Sequence, residues 1–137
     1  MSQPVSANLQ NRLQWSLFSL RLSIFIVMFM WTMDKFVNPA HGALVLKAFY
    51  GINESSNTLF YILGALQLLL VLAFVTGIKK RISYGLILLI HASSTFASFP
   101  RYIDGFNNLL FFAAWPMLGA CLALYLLRDA DVKFTVK

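Results

Sequence analysis

An arginine, a glutamine and a histidine stand inside apolar stretches of this chain: Arg21 within Leu13 to Met33, Gln67 within Thr58 to Ile78, and His91 within Ile82 to Phe99. A guanidinium near the centre of a bilayer costs about 2.5–3.5 kcal/mol even on the lenient insertion scale, so Arg21 needs an acceptor. It lies eight residues from Leu13, about 12 Å along a helix, which leaves two readings open. The side chain snorkels towards headgroups, or it turns inward. For the inward case, His91 is nine residues from the start of its stretch and Gln67 eleven from the end of its own, so the three are expected to share one polar layer. No Asp or Glu falls within these stretches; a bound anion, a lipid phosphate or a quinone carbonyl is the acceptor expected.

The stretch around His91 carries a polar stripe. Tyr84, His91, Thr95, Ser98 and Tyr102 follow spacings of seven, four, three and four, with Ser94 alongside. Such a face lines a ligand cavity or proton path, or else glues helices together through hydrogen bonds of about 0.6 kcal/mol each. A bis-histidine haem needs a second histidine at depth, and His41 lies in a connecting segment. Without a Glu-x-x-His pair, a Cys-His cluster or a carboxylate dyad, metal catalysis and acid-base hydrolysis lack their groups. No metal site and no catalytic residue is assigned, and the chain reads as non-catalytic on its own.

The elements that must position these residues are membrane helices. Hydrophobic residues make up 59% of the 137 residues and charged ones 12%, with mean hydropathy +0.72, against about 25% charged in soluble domains. The whole chain, 1–137, reads as a single all-α, polytopic integral membrane domain: a four-helix bundle with spans of about 13–33, 58–78, 82–99 and 109–127. The net charge of +6 fits membrane orientation, so no nucleic-acid partner is expected. The tight basic turn Lys79-Lys80-Arg81 should face the cytoplasm, and an even number of spans puts both termini there. Arg12, Lys79, Lys80, Arg81, Arg128, Lys133 and Lys137 would then lie inside and Lys35, Lys47 and Arg101 outside. An inner (plasma) membrane is the expected location. The first stretch lacks a small-residue cleavage site and reads as a retained helix. The single cysteine, Cys121, reads as a small core residue.

Between the first two spans, Asn38 can cap a helix with Pro39 at its first position and Gly51 ending it. Val45, Ala48, Phe49 and Ile52 recur at helical spacing, which predicts a short interfacial helix. Asp34 and Lys35 are candidates at that outer interface. In the fourth span Pro116 should kink the helix, while Gly119 with Ala123, and Gly64 in the second span, permit close helix approach. The polar ends, Met1 to Gln10 and Asp129 to Lys137, read as mobile or bound to partners.

Arg21 in the first span, Asp34-Lys35-Phe36 at its outer end, the Pro39 to Gly51 connection and the basic turn Lys79-Lys80-Arg81 together resemble the DoxX-like superfamily of small four-helix membrane proteins. Many members carry a glycine shortly before the lysine, where this chain has Trp31-Thr32-Met33, and a glutamate in the second span, where Gln67 is the nearest equivalent. The resemblance implies a four-helix bundle serving as a membrane subunit of a quinone-linked enzyme or as an accessory to a redox protein; relatives act in export or assembly of other membrane proteins.

The function expected is therefore a non-catalytic membrane subunit or accessory factor of a quinone-linked respiratory or redox complex. It would have no intrinsic cofactor, a bound quinone or lipid, and other membrane subunits as partners. Two alternatives remain open at this point: an assembly or trafficking chaperone, and a small transporter or lipid-binding protein with Arg21 and His91 on its route.

Overall fold

A computed structural model describes residues 6–53 and 56–136; the remainder of the polar start, Met1 to Val5, and Lys137 lie outside the described residues. The described chain is helical and contains no strand. Helix α1 (Ala7–Val37) starts from Ser6, whose hydroxyl accepts the Leu9 N–H. A short helix α2 (Pro39–Val45) passes into a wider π-helical turn, Leu46–Tyr50, closed by Gly51 at φ +68°. Helix α3 (Asn57–Thr76) ends at Gly77, φ +78°. Gly77 and Lys79, the latter at φ 49°, reverse the chain into α4 (Lys80–Ala97). After the short α5 (Phe99–Ile103), a 3-10 stretch at Leu109–Ala113 leads into α6 (Ala114–Leu126).

Among the described residues, three helical segments are long and apolar enough to cross a membrane: Ala7–Val37, Asn57–Thr76 and Leu109–Leu126. The protein is a helical membrane protein. Helix α4 falls outside that set because its basic start and its polar stripe dilute its apolar residues. Around the bundle α1 neighbours α3, α3 neighbours α4, α4 neighbours α6, and α6 closes on α1. Leu17, Ile24, Val71, Phe74, Ile87 and Leu124 fill the centre, with Cys121 buried among them as expected.

Large apolar side chains also point outward. Ile26 and Met30 on α1, Leu66 and Leu69 on α3, Leu89 and Phe96 on α4, and Leu126 on α6 are all exposed, while Arg21, His91, Thr95 and Asp131 are buried. Lipid satisfies the outer faces, and internal hydrogen bonds satisfy the polar groups that water cannot reach.

Several local expectations change. Helix α1 runs 31 residues, about 46 Å at 1.5 Å per residue, and so outruns the span assigned to it at both ends. The connecting helix forms between Pro39 and Gly51, although the Asn38 side chain makes no capping bond. Pro116 sits in the first turn of α6, where its missing N–H has no intrahelical partner to lose; the 3-10 stretch before it takes up the change of winding. Gly64 does receive a close neighbour, with Phe36 2.9 Å from where a Cβ would stand, whereas nothing lies within 4 Å of that point at Gly119.

Candidate functional site

Arg21 belongs to a closed cluster at the end of the bundle where α3 turns into α4. Its Nε donates to the Val75 carbonyl at 3.1 Å, and its Nη2 to the Lys133 and Phe134 carbonyls at 2.6 and 3.3 Å. Its Nη1 makes an ion pair with Asp131. Tyr84 donates to the other Asp131 oxygen at 2.6 Å, and Lys80 donates to the Asp131 carbonyl. Arg21 and Asp131 are both 0% exposed. The expected external acceptor is therefore replaced by the chain's own carboxylate.

Asp131 arrives because the segment after α6 folds back. A 3-10 turn at Arg128–Ala130 directs the chain across the basic turn, and Phe134 adopts φ 55°, a left-handed conformation that costs about 1–2 kcal/mol outside glycine. That turn brings two successive carbonyls onto one guanidinium. The Phe134 ring packs 4.9 Å from Phe18 and 6.3 Å from Trp15, and Val136 N–H donates to Thr76 O at 2.8 Å. The segment read as mobile or partner-bound is docked onto its own bundle.

The single polar layer does not form. Arg21 is level with Val75, while Gln67 lies eight residues further into α3, about 12 Å away at 1.5 Å per residue. His91 lies seven residues past Tyr84, about 10 Å deeper. Counting from Leu13 misplaced Arg21, because the first turns of α1 project past the end of α3.

His91 and Gln67 instead line two neighbouring cavities in the other half of the bundle. The first, of about 660 Å³, lies between α1, α4 and α6 and is lined by Trp31, His91, Ser94, Ser98, Ala114 and Met117 among others. The second, of about 610 Å³, lies between α1, α3 and α4 and includes Asp34, Lys35, His41 and Gln67. Trp31, Val45, Tyr50 and Ser94 belong to both, so α2 and its π-helical turn roof the pair. Tyr50 and Ser93 hydroxyls, 3.4 Å apart, tie that roof to α4.

The first cavity holds an unsatisfied polar atom. His91 is 1% exposed, and its Nε2 lies 3.0 Å from the Ala114 carbonyl. A carbonyl oxygen only accepts, so Nε2 carries the hydrogen, and the neutral ring leaves a lone pair on Nδ1. That Nδ1 is buried with no hydrogen-bond partner among the described residues. Trp31 stacks on the imidazole, with centroids 6.1 Å apart and planes at 26°. The cavity thus presents two flat rings and largely apolar walls, with a spare acceptor buried in the ring of one wall residue.

Thr95, Ser98 and Tyr102 of the polar stripe are satisfied internally, while Ser94 lines both cavities. Thr95 donates to the His91 carbonyl at 2.7 Å, Ser98 to the Ser94 carbonyl at 2.9 Å, and Tyr102 to the Thr95 carbonyl at 3.0 Å. Asp34 meets His41 Nδ1 at 2.5 Å at the mouth of the second cavity, where both are partly exposed. Trp31, Tyr50 and Asp131 were not singled out as site residues by sequence. Asp131 had one signal, the alternation of Val132, Phe134 and Val136 with polar neighbours, which marks a segment with one face to bury.

No group of three or more His, Cys, Asp or Glu among the described residues is placed to hold a metal ion. Compared with known proteins, the chain matches no family model, no curated protein and no solved structure.

Proposed function

We propose that this chain is a four-span, non-catalytic subunit or accessory factor of a quinone-linked redox complex, and that it holds a quinone or quinol ring in the cavity beside His91. The observation that carries the reading is the unpartnered, buried Nδ1 of His91, a wall residue of a largely apolar cavity of about 660 Å³. Binding pockets for small molecules run from about 300 to 1,000 Å³, with apolar walls and a few placed polar groups. Rotation of the His91 ring brings its buried Nδ1 to the cavity, where it accepts from a quinol hydroxyl whose ring lies against Trp31. The chain carries no redox cofactor motif, so electrons come from a partner subunit. The DoxX-like pattern of Arg21, Asp34-Lys35-Phe36 and the basic turn agrees with this assignment.

Four spans fit the packing. Helix α4 lies between α3 and α6 and turns Ile82, Leu89 and Phe96 outward, an outer face as apolar as those of its neighbours. The first turns of α1, the α3–α4 turn and the C-terminal segment meet at one end, through the Trp15–Phe134, Lys80–Asp131 and Val136–Thr76 contacts. Both terminal segments thus share a face with Lys79-Lys80-Arg81, and the charge bias makes that face cytoplasmic, in a plasma or inner membrane.

Native mass spectrometry after extraction from the protein's own membranes tests the assignment. A larger assembly containing a cofactor-bearing subunit and retained quinone is expected. A lone chain carrying neither partner nor quinone overturns it.

A further inference from the structure

The second cavity has a different chemistry. Lys35 and Phe36 pass α3 at Gly64, where the Lys35 Cβ lies 3.3 Å and the Phe36 ring 2.9 Å from the position a Cβ would take. Gln67 is three residues further along α3 and therefore on the same helix face. The Lys35 ammonium and the Gln67 carboxamide, both half-buried, line one cavity of about 610 Å³ whose other walls include Met28, Phe60, Leu63, Leu89 and Ile90. Neither side chain has a hydrogen bond or ion pair among the described residues. Asp34, the neighbouring carboxylate, is engaged by His41. A half-buried ammonium beside a largely apolar chamber, whose one charged neighbour Asp34 is already held by His41, is complementary to one negative charge on an apolar body.

We infer that this cavity binds a long-chain carboxylate, with its head between Lys35 and Gln67 and its alkyl chain among Met28, Leu63, Leu89 and Ile90. Lys35 donates to one carboxylate oxygen and the Gln67 amide to the other. A second negative charge is disfavoured by Asp34 beside it in sequence. The ligand proposed is a free fatty carboxylate, and a bilayer phospholipid is the outcome that the test must separate from it. The two cavities share Trp31, Val45, Tyr50 and Ser94, but Lys35 and Gln67 line only this one, so the Lys35 variants separate it from the quinone reading beside His91.

The test uses the full chain with Trp15→Phe and Trp115→Phe, which leaves Trp31, a wall of this cavity, as its single tryptophan. Reconstituted in phosphatidylcholine nanodiscs, it is titrated with 9,10-dibromostearate, and quenching of Trp31 is followed. Saturable quenching is expected, weakened about tenfold or more by Lys35→Met and retained by Lys35→Arg. The dibromo alcohol of the same length should bind at least tenfold more weakly. If the Lys35→Met chain does not fold, the comparison of acid with alcohol on the unaltered Lys35 decides. Equal quenching by acid and alcohol, or quenching as strong by phosphatidylglycerol with the same brominated chains, overturns the assignment.

Discussion

Arg21 and Asp131, 110 residues apart in the chain, form an ion pair from which solvent is excluded on both sides. The pair joins the first long helix to the segment that follows the last one. Tyr84, Val75 and Lys80 complete it, so every helix of the α1, α3 and α4 face contributes to holding the C-terminal segment. Its role is structural closure of one end of the bundle, and neither Arg21 nor Asp131 lines a cavity.

Removing one partner of a buried pair strands the other charge and costs about 3–5 kcal/mol, whereas replacing both with apolar groups is often neutral. Arg21→Leu and Asp131→Leu should each lower the unfolding midpoint markedly in detergent. The double variant should recover most of the loss. Midpoints from thermal unfolding followed by circular dichroism check this, and additive losses in the double variant would contradict the pairing.

The two glycines at opposite extremes of crowding should respond in opposite ways. Gly77→Ala places a Cβ at φ +78° and 2.8 Å from Thr135, so it should destabilise by about 1–3 kcal/mol and loosen the C-terminal segment. Limited proteolysis at Lys133 should then accelerate. Gly119→Ala meets nothing within 4 Å and gains up to about 1 kcal/mol of helix propensity, with no change in cleavage.

Topology follows from accessibility. With Cys121→Ala as background, single cysteines at Ser6, Lys79 and Val136 should react with a membrane-impermeant maleimide from the cytoplasmic side, and a cysteine at Asn38 from the opposite side. Labelling of the Ser6 and Val136 positions from opposite faces would contradict an even number of spans.

The roof over the cavities is tied to α4 by the Tyr50–Ser93 hydrogen bond. Tyr50→Phe should raise the hydrogen-exchange rate of the Pro39–Tyr50 amides severalfold while leaving α6 unchanged; a bond of this kind contributes about 1 kcal/mol. Unchanged exchange would mean that the roof is held by apolar contacts alone.

Composition and the long apolar runs were enough to read helices and a membrane, because each span must satisfy its own backbone in lipid. Gly51 marked a helix end correctly, since left-handed φ values select glycine, and the basic turn marked the reversal between α3 and α4; Gly77, inside the span as read, was missed. Depth was less legible. Helix α1 overshoots α3, so residue counts from an assumed boundary put Arg21 level with His91 and Gln67 when it aligns with Val75. The pairing with Asp131 depends on tertiary folding of a segment whose composition resembles a tail, and spacing carries no record of a contact between opposite ends of the chain. The stacking of Trp31 on His91 was equally invisible, since it needs the relative rotation of α1 and α4.

The most direct measurement is photolabelling of the protein in its own membranes with an azidoquinone, followed by peptide mapping. The account predicts adducts at Trp31 and around His91 and Ser94, lost in His91→Leu and kept in the double Arg21→Leu, Asp131→Leu variant. Labelling that is absent, or that persists unchanged in His91→Leu, would contradict it.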